Sequence, residues 1–226
     1  MSELSSTAPK PPRVKAPRVK RTRDSVKTKA EILVAGRAEF AERGFEGARV
    51  DAIAALAGAN KRLLYHYYGN KEELYRAVLL DAYQEIRRGE RALSLDQFGP
   101  VEAMDRLVRF TFRHFLANPW FPRLLNTENI ENARFLKTMP DIQALHSPLV
   151  GQITTIVERG AELGVFRRDV DPVQLYISIA ALGFFYVSNM ATLSVIFARD
   201  LSGIDMVQER EAQAVQMVLD YLRTKP

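Results

Sequence analysis

Residues 58–75 read GANKRLLYHYYGNKEELY, with three cations, four tyrosines and a histidine punctuated by Gly58 and Gly69. Asn60 is placed to cap a short helix over 61–67, and Gly69 ends it. Asn70 with Glu73 three residues on has the form of a capping box opening a longer helix through about Arg88. Upstream, 50–57 makes another short helix, rich in alanine and closed by Gly58. Before it, Leu33, Gly36, Phe40 and Ala41 recur at helical spacing in a first helix over roughly 26–43, up to Gly44. Two short helices joined by a tight glycine turn and propped by an earlier helix have the layout of a helix-turn-helix.

In that layout the first residues of the second helix meet base edges, and flanking residues hold the duplex through its phosphates. Lys61 and Arg62 occupy that first turn. Arg62 suits a bidentate contact to guanine and Leu63 an apolar contact to a thymine methyl. Tyr65, one turn on, is placed for a base or a phosphate, and His66 faces the backbone. Lys71 lies in the first turn of the next helix, where free backbone N–H groups also attract an anion. Arg49, at the entry to the 50–57 helix, either reaches a phosphate or simply forfeits a cap worth about 1 kcal/mol. The competing reading is that the tyrosines pack a small core and the cations solvate it, Tyr68 above all.

Composition narrows the classes. A chain of 226 residues, 47% hydrophobic, is long enough to bury a sizeable core. Its net charge of +5 favours polyanionic partners. With no cysteine there are no disulfides or thiolate metal sites, as suits a reducing compartment. No run of about eighteen uncharged apolar residues and no signal core are recognised, so a soluble, cytoplasmic protein without a membrane partner is expected. No metal or cofactor is expected: His66, His114 and His146 lack ligand spacing, and there is no glycine-rich phosphate loop or nucleophile triad. Glu128 and Glu131, three apart on a helical face, read as a polar patch or a pocket wall beside Asn129 and Asn132 rather than as catalytic carboxylates. An enzyme, and a helical interaction protein that never touches DNA, are the alternatives to a DNA-binding regulator.

Residues 1–24 combine four prolines and seven cations with Glu3 and Asp24, a disordered basic arm that either adds salt-dependent DNA affinity or only aids solubility. The remainder reads as all-α. A helix starts at Gly99 and Pro100 and ends before Pro119, with Val101, Met104, Val108, Phe112 and Phe115 on one stripe. An aromatic, amide-rich segment runs to Pro140, and a helix over 142–163 is interrupted by Pro148. Asp171 and Pro172 open a helix over 172–198. The last helix, over about 204–222, aligns Ile204, Val207, Val215, Val218, Leu219 and Leu222. The small residues Ala180, Ala181, Gly183, Ser188 and Ala191, with that stripe, suggest a two-fold four-helix interface, or else the stripe closes the subunit's own core.

The segment GFEGARVDAIAALAGANKRLLYHYYGNKEELYRAVL, residues 44–79, closely resembles the DNA-binding region of the TetR family of bacterial transcriptional regulators. The resemblance extends over about residues 26–80. Departures are Arg49 at the usual Thr or Ser cap, Ala59 for valine, Arg62 and Leu63 for glycine and threonine, and Tyr68 for phenylalanine. The C-terminal half is similar to the RutR branch of that family. The resemblance implies a homodimer on a palindromic operator in double-stranded DNA, a phosphate contact from Tyr67, and repression relieved by a small-molecule effector of unknown identity. It implies a helix-turn-helix domain over 25–71 and an effector-binding and dimerisation domain over 72–226. An effector pocket walled by Phe112, Trp120, Glu128, Asn129, Phe185 and Asn189 is expected, because ligand sites are mostly apolar with a few placed polar groups.

Overall fold

A computed structural model describes residues 19–140 and 142–224, with side chains from Ser25 onward; residues 1–18, most of the expected basic arm, lie outside it. The described residues form nine α-helices and no strand: α1 Val19–Gly47, α2 Val50–Leu56, α3 Lys61–Tyr68, α4 Lys71–Ala92, α5 Pro100–Ala117, α6 Trp120–Ile130, α7 Ile142–Glu162, α8 Pro172–Ile196 and α9 Ile204–Leu222. The all-α expectation holds. α1 begins inside the expected arm and continues one turn past Gly44, which bends the helix at φ +66°. Glycine reaches that angle without steric cost, and the bend turns Phe45 inward to 7% exposure.

Local chemistry sets the next boundaries. The Asn60 side chain accepts from Leu63 N at 2.8 Å, capping α3. Asn70 accepts from Glu73 N at 2.9 Å, but the expected capping box is only half formed, because the Glu73 carboxylate accepts from Arg76 Nη1 at 2.6 Å instead. Arg49 gives α2 no side-chain cap.

Two corrections concern the C-terminal half. Pro148 does not interrupt α7, which runs unbroken through it. The donor it removes belongs to the second turn only, where Ser147 Oγ and His146 Nδ1 bond the neighbouring Gln143 and Ile142 carbonyls. The second correction is that an apolar run of membrane-spanning length does exist: α8 carries no charged residue along its 25 residues. Its inner face packs in the subunit through Leu175, Ile179, Gly183 and Tyr186, while Val173, Ile177 and Phe185 stay exposed. A helix apolar on both faces needs cover on both.

Burial resolves into two main clusters. One joins α1–α4 to α6 through Phe40, Leu64, Tyr75, Phe121 and Phe135, so the helix-turn-helix and the larger domain share a core across residues 71 and 72. The other packs α5, α7, α8 and α9 around Leu107, Ile153, Phe166, Ile179 and Leu222. Val207, Val215, Val218, Leu219 and Leu222 of α9 are all buried within the subunit, so that stripe closes the subunit's own core; Ile204 alone of the six is exposed. Gly183 also faces inward, where an added Cβ would lie 3.1 Å from Phe115 Cδ2 and 3.3 Å from Phe112 Cα. It serves the close approach of α8 to α5.

At Gly160 the ring of buried Phe166 lies so close that an added Cβ would sit 2.1 Å from Cδ2 and 2.5 Å from Cγ. Neither atom is a free side-chain end, so Gly160→Ala must displace the ring. The expected loss is about 1–3 kcal/mol, measured as a shift in the urea midpoint at unchanged slope.

Candidate DNA-reading head and effector core

α3 is held by its apolar side and free on the other. Leu64 is wholly buried, while Lys61, Arg62, Tyr65 and His66 are exposed and Leu63 is half-buried beside them. Arg62 has no intramolecular partner among the described residues. Lys61 is paired with Asp51 of α2 at 3.1 Å, an exposed contact that a phosphate or base can displace cheaply.

The tyrosines divide. Tyr67 is half-buried with the Lys29 ammonium 5.3 Å from its ring centre, which adds an α1 cation to this edge that sequence reasoning overlooked within VKTKAE. Tyr67 and Tyr68 both pack half-buried against the core, but only the Tyr68 hydroxyl donates to the Lys29 carbonyl, at 2.9 Å. Burial, with Asp81 nearby, pushes its pKa up to about 12. Tyr68 is therefore structural.

Arg49 is exposed, and its own N–H donates to buried Glu39 at 3.1 Å, leaving the guanidinium available for a phosphate. Lys71 is committed differently from expectation: its ammonium donates to the Glu46 carbonyl at 3.2 Å and lies 4.8 Å from the Phe45 ring centre. It ties the end of α1 to the start of α4 as well as standing near the anion-attracting helix end.

The six expected pocket residues are not brought together. Phe112 is buried against Tyr186 and Val207. Trp120 sits at the α1 side, with the Arg37 guanidinium 4.1 Å from its ring centre. That arginine is also bonded to Asp81 at 2.6 Å and Glu85 at 3.0 Å, so Trp120 covers an α1–α4 clamp. Glu128 is buried and accepts from Leu136 N at 3.1 Å, fastening the segment after α6. Asn129 is exposed, Phe185 is 58% exposed on α8, and Asn189 bonds its own helix at the Phe185 carbonyl. A hydrophobic stripe read from sequence does not say which neighbour it meets, and these six point to different ones.

Instead, the buried polar groups of the larger domain gather around Arg87 of α4. Its guanidinium lies 2.8 Å from Glu90 and donates to the Tyr176 hydroxyl of α8 at 3.2 Å, while Nε makes no hydrogen bond. His114 of α5 is buried with Nε2 unpartnered, and Tyr83 packs edge-on against His146 of α7 with ring centres 5.0 Å apart. Burial, then Arg87, depresses both imidazole pKa values, that of His114 to about 4. Burial outweighs Arg87 and pushes Glu90 up to about 7. Sequence reasoning missed this group because EIRRGERA reads as a solvated charged face.

The two shifts act oppositely on stability. His114 takes up its proton more readily unfolded, so stability falls as pH drops from about 6.5 towards 4. Glu90 holds its proton more tightly folded, so stability rises as pH drops from about 7 towards 4.5. Glu90→Gln removes the second effect, and its unfolding free energy will fall more steeply than that of the unmodified protein between pH 7 and pH 5 in urea titrations.

A fold of this kind, with an exposed capped α3 beside α2 and a helical domain sharing its core, defines a helix-turn-helix DNA-binding regulator. The comparisons agree: residues 32–78 match "Bacterial regulatory proteins, tetR family" and residues 100–218 match "Tetracyclin repressor-like, C-terminal domain". The chain is 36% identical over 189 residues to the HTH-type transcriptional repressor NicS of Pseudomonas putida, covering 84% of this chain and 86% of that one. It is 33% identical over 131 residues to the regulator RutR of Escherichia coli K12, covering 56% and 60%. A TetR family transcription regulator from Marinobacter aquaeolei shares the fold at a TM-score of 0.70 and 23% identity, covering 91% of this chain and 100% of that one. The protein belongs to the TetR family, and its place there is among transcriptional regulators, not enzymes.

Proposed function

We propose that this protein is a homodimeric repressor that binds a palindromic operator through α3 and is released by a small-molecule effector held in the α4–α8 core. The observation that carries the DNA contact is the exposed face of α3, where Arg62, without a partner among the described residues, stands between Lys61 and Tyr65 while Leu64 anchors the helix from behind. In this reading Arg62, Lys61, Leu63 and Tyr65 face bases, and Arg49, His66, Tyr67, Lys71 and Lys29 hold phosphates. Residues 25–71 form the reading head, with 72–226 binding effector and partner subunit.

The second copy covers α8. Val173, Ile177, Ala181 and Phe185 recur every four residues as an exposed row, with Met217 and Tyr221 of α9 beside it across a groove of about 600 Å³. An aqueous protein gains by burying such a face against its own copy, and two reading heads at fixed separation then require a two-fold operator.

α4 links the sites. It starts at Lys71 beside the DNA-reading head and carries Arg87 about 24 Å further along its axis. An effector that favours one setting of α4 weakens DNA binding by its differential affinity, and DNA weakens the effector equally. The test is selection of bound duplexes from a random library. A two-fold motif should be enriched by the unmodified protein and lost when Lys61, Arg62 and Tyr65 are all alanine in a folded variant; retention of the motif by that variant overturns the assignment.

A further inference from the structure

Resting on the two-fold operator reading above, we propose that the turn after α6, residues 131–138, is a clip that fixes the tilt of the reading head, and that Arg134 and Phe135 are positioning residues which select the spacing between half-sites. The turn is strained: Asn132 and Ala133 both stand in the left-handed region, at φ +54° and +57°. A residue with a Cβ reaches that region only at a cost, and alanine has no polar group to offset it. Backbone of this kind persists where its surroundings over-determine it.

Those surroundings tie α6 to the two helices that frame the head. Behind the turn, the Glu128 carbonyl of α6 accepts from Ala133 N at 2.6 Å and its carboxylate from Leu136 N at 3.1 Å. In front, the wholly buried Phe135 ring lies 4.4 Å from that of Phe45 at the end of α1 and 4.8 Å from that of Tyr75 in α4, centre to centre. The Arg134 guanidinium lies over two of these rings, 5.0 Å from the centre of Phe135 and 5.7 Å from that of Phe45. It also reaches Glu46 of α1 at 3.6 Å and Glu72 of α4 at 3.3 Å. Arg76 of α4 donates to Thr138 Oγ1 at 3.1 Å, closing the far end of the turn. Each exposed ion pair is weak alone. One guanidinium bridging both carboxylates, however, holds the end of α1 against the start of α4, on either side of α2 and α3. The chain itself joins the head to the larger domain only through α4, so the clip supplies a second attachment that a fixed tilt needs. Two heads that must reach half-sites a set distance apart require that tilt as well as a fixed dimer.

The test measures binding of the full-length protein to its selected operator, to a single half-site, and to operators whose centre is lengthened or shortened by one or two base pairs. A misspaced operator should bind the unmodified protein about a hundredfold more weakly than the selected one, the avidity lost when both heads cannot engage together. Phe135→Ala and Arg134→Ala should each cut that penalty to about tenfold or less while leaving single half-site affinity unchanged. Arg134→Lys should act like Arg134→Ala, because a single ammonium does not replace the planar fork between two carboxylates. Should Phe135→Ala fail to fold, the half-exposed Arg134 decides. An unchanged spacing penalty in Arg134→Ala overturns the proposal. So does an equal loss on every duplex, half-site included, that Arg134→Lys restores, since that marks a phosphate contact. An unmodified protein that enriches a two-fold motif yet accepts every spacing loses this inference alone, whereas one that enriches no such motif loses the operator reading and this inference with it.

Discussion

Phe185→Glu will convert the proposed dimer to monomers and abolish operator binding without unfolding the subunit. Phe185 is 58% exposed in the subunit, so an isolated chain tolerates a charge there. At the proposed interface the side chain is covered, and loss of a buried phenylalanine costs about 1.5–3 kcal/mol. Two-fold symmetry applies every substitution twice, giving about 3–6 kcal/mol, or two to four decades in the dimer dissociation constant. Ile177→Glu, two helical turns away and 51% exposed, should act in the same way. Light scattering at micromolar concentration is the measurement, with circular dichroism as the folding control. A Phe185→Glu protein that remains dimeric places the interface on another face.

Arg62→Ala will lower affinity for the selected operator by about 1–3 kcal/mol and relax preference at one base position in each half-site. Two properties of the structure favour a large specific effect. Among the described residues Arg62 has no partner in its own chain, so no such contact offsets the loss, and α3 is held by the Asn60 cap and buried Leu64. Lys71→Ala should behave differently. Its ammonium secures the Glu46 carbonyl, so the substitution will weaken all sequences alike and also lower stability by a fraction of the effect at the base-reading position. Competition gel shifts against operators altered one base pair at a time distinguish the two. An Arg62→Ala protein whose preference profile is unchanged removes that residue from base readout.

Much of the reading head was legible because its signals are local. Asn60, Gly69 and Asn70 act within one or two helical turns, and the spacing that announced α3 and the start of α4 is the spacing observed. Tyr68 marks the limit. Sequence places it beside Tyr67 and His66, but only the approach of α1 decides that its hydroxyl serves Lys29 while Tyr67 stays at the edge. The same limit explains why the six residues expected to wall one pocket lie apart. Phe112 and Phe185 both belong to apolar helices, yet one turns towards Tyr186 and the other towards solvent.

By itself, then, the sequence determined an all-helical chain, the turn between α2 and α3, and the cations presented by α3, because caps, glycines and helical periodicity operate over a few residues. The tertiary structure alone decided that the α9 stripe closes the subunit while an apolar row on α8 stays exposed, that Trp120 covers the Arg37 clamp, and that Arg87 lies buried among rings from α4, α5, α7 and α8. Those outcomes depend on which faces of distant helices meet. A residue's place on its own helix fixes its direction, whereas its environment is fixed by the helix that packs against it.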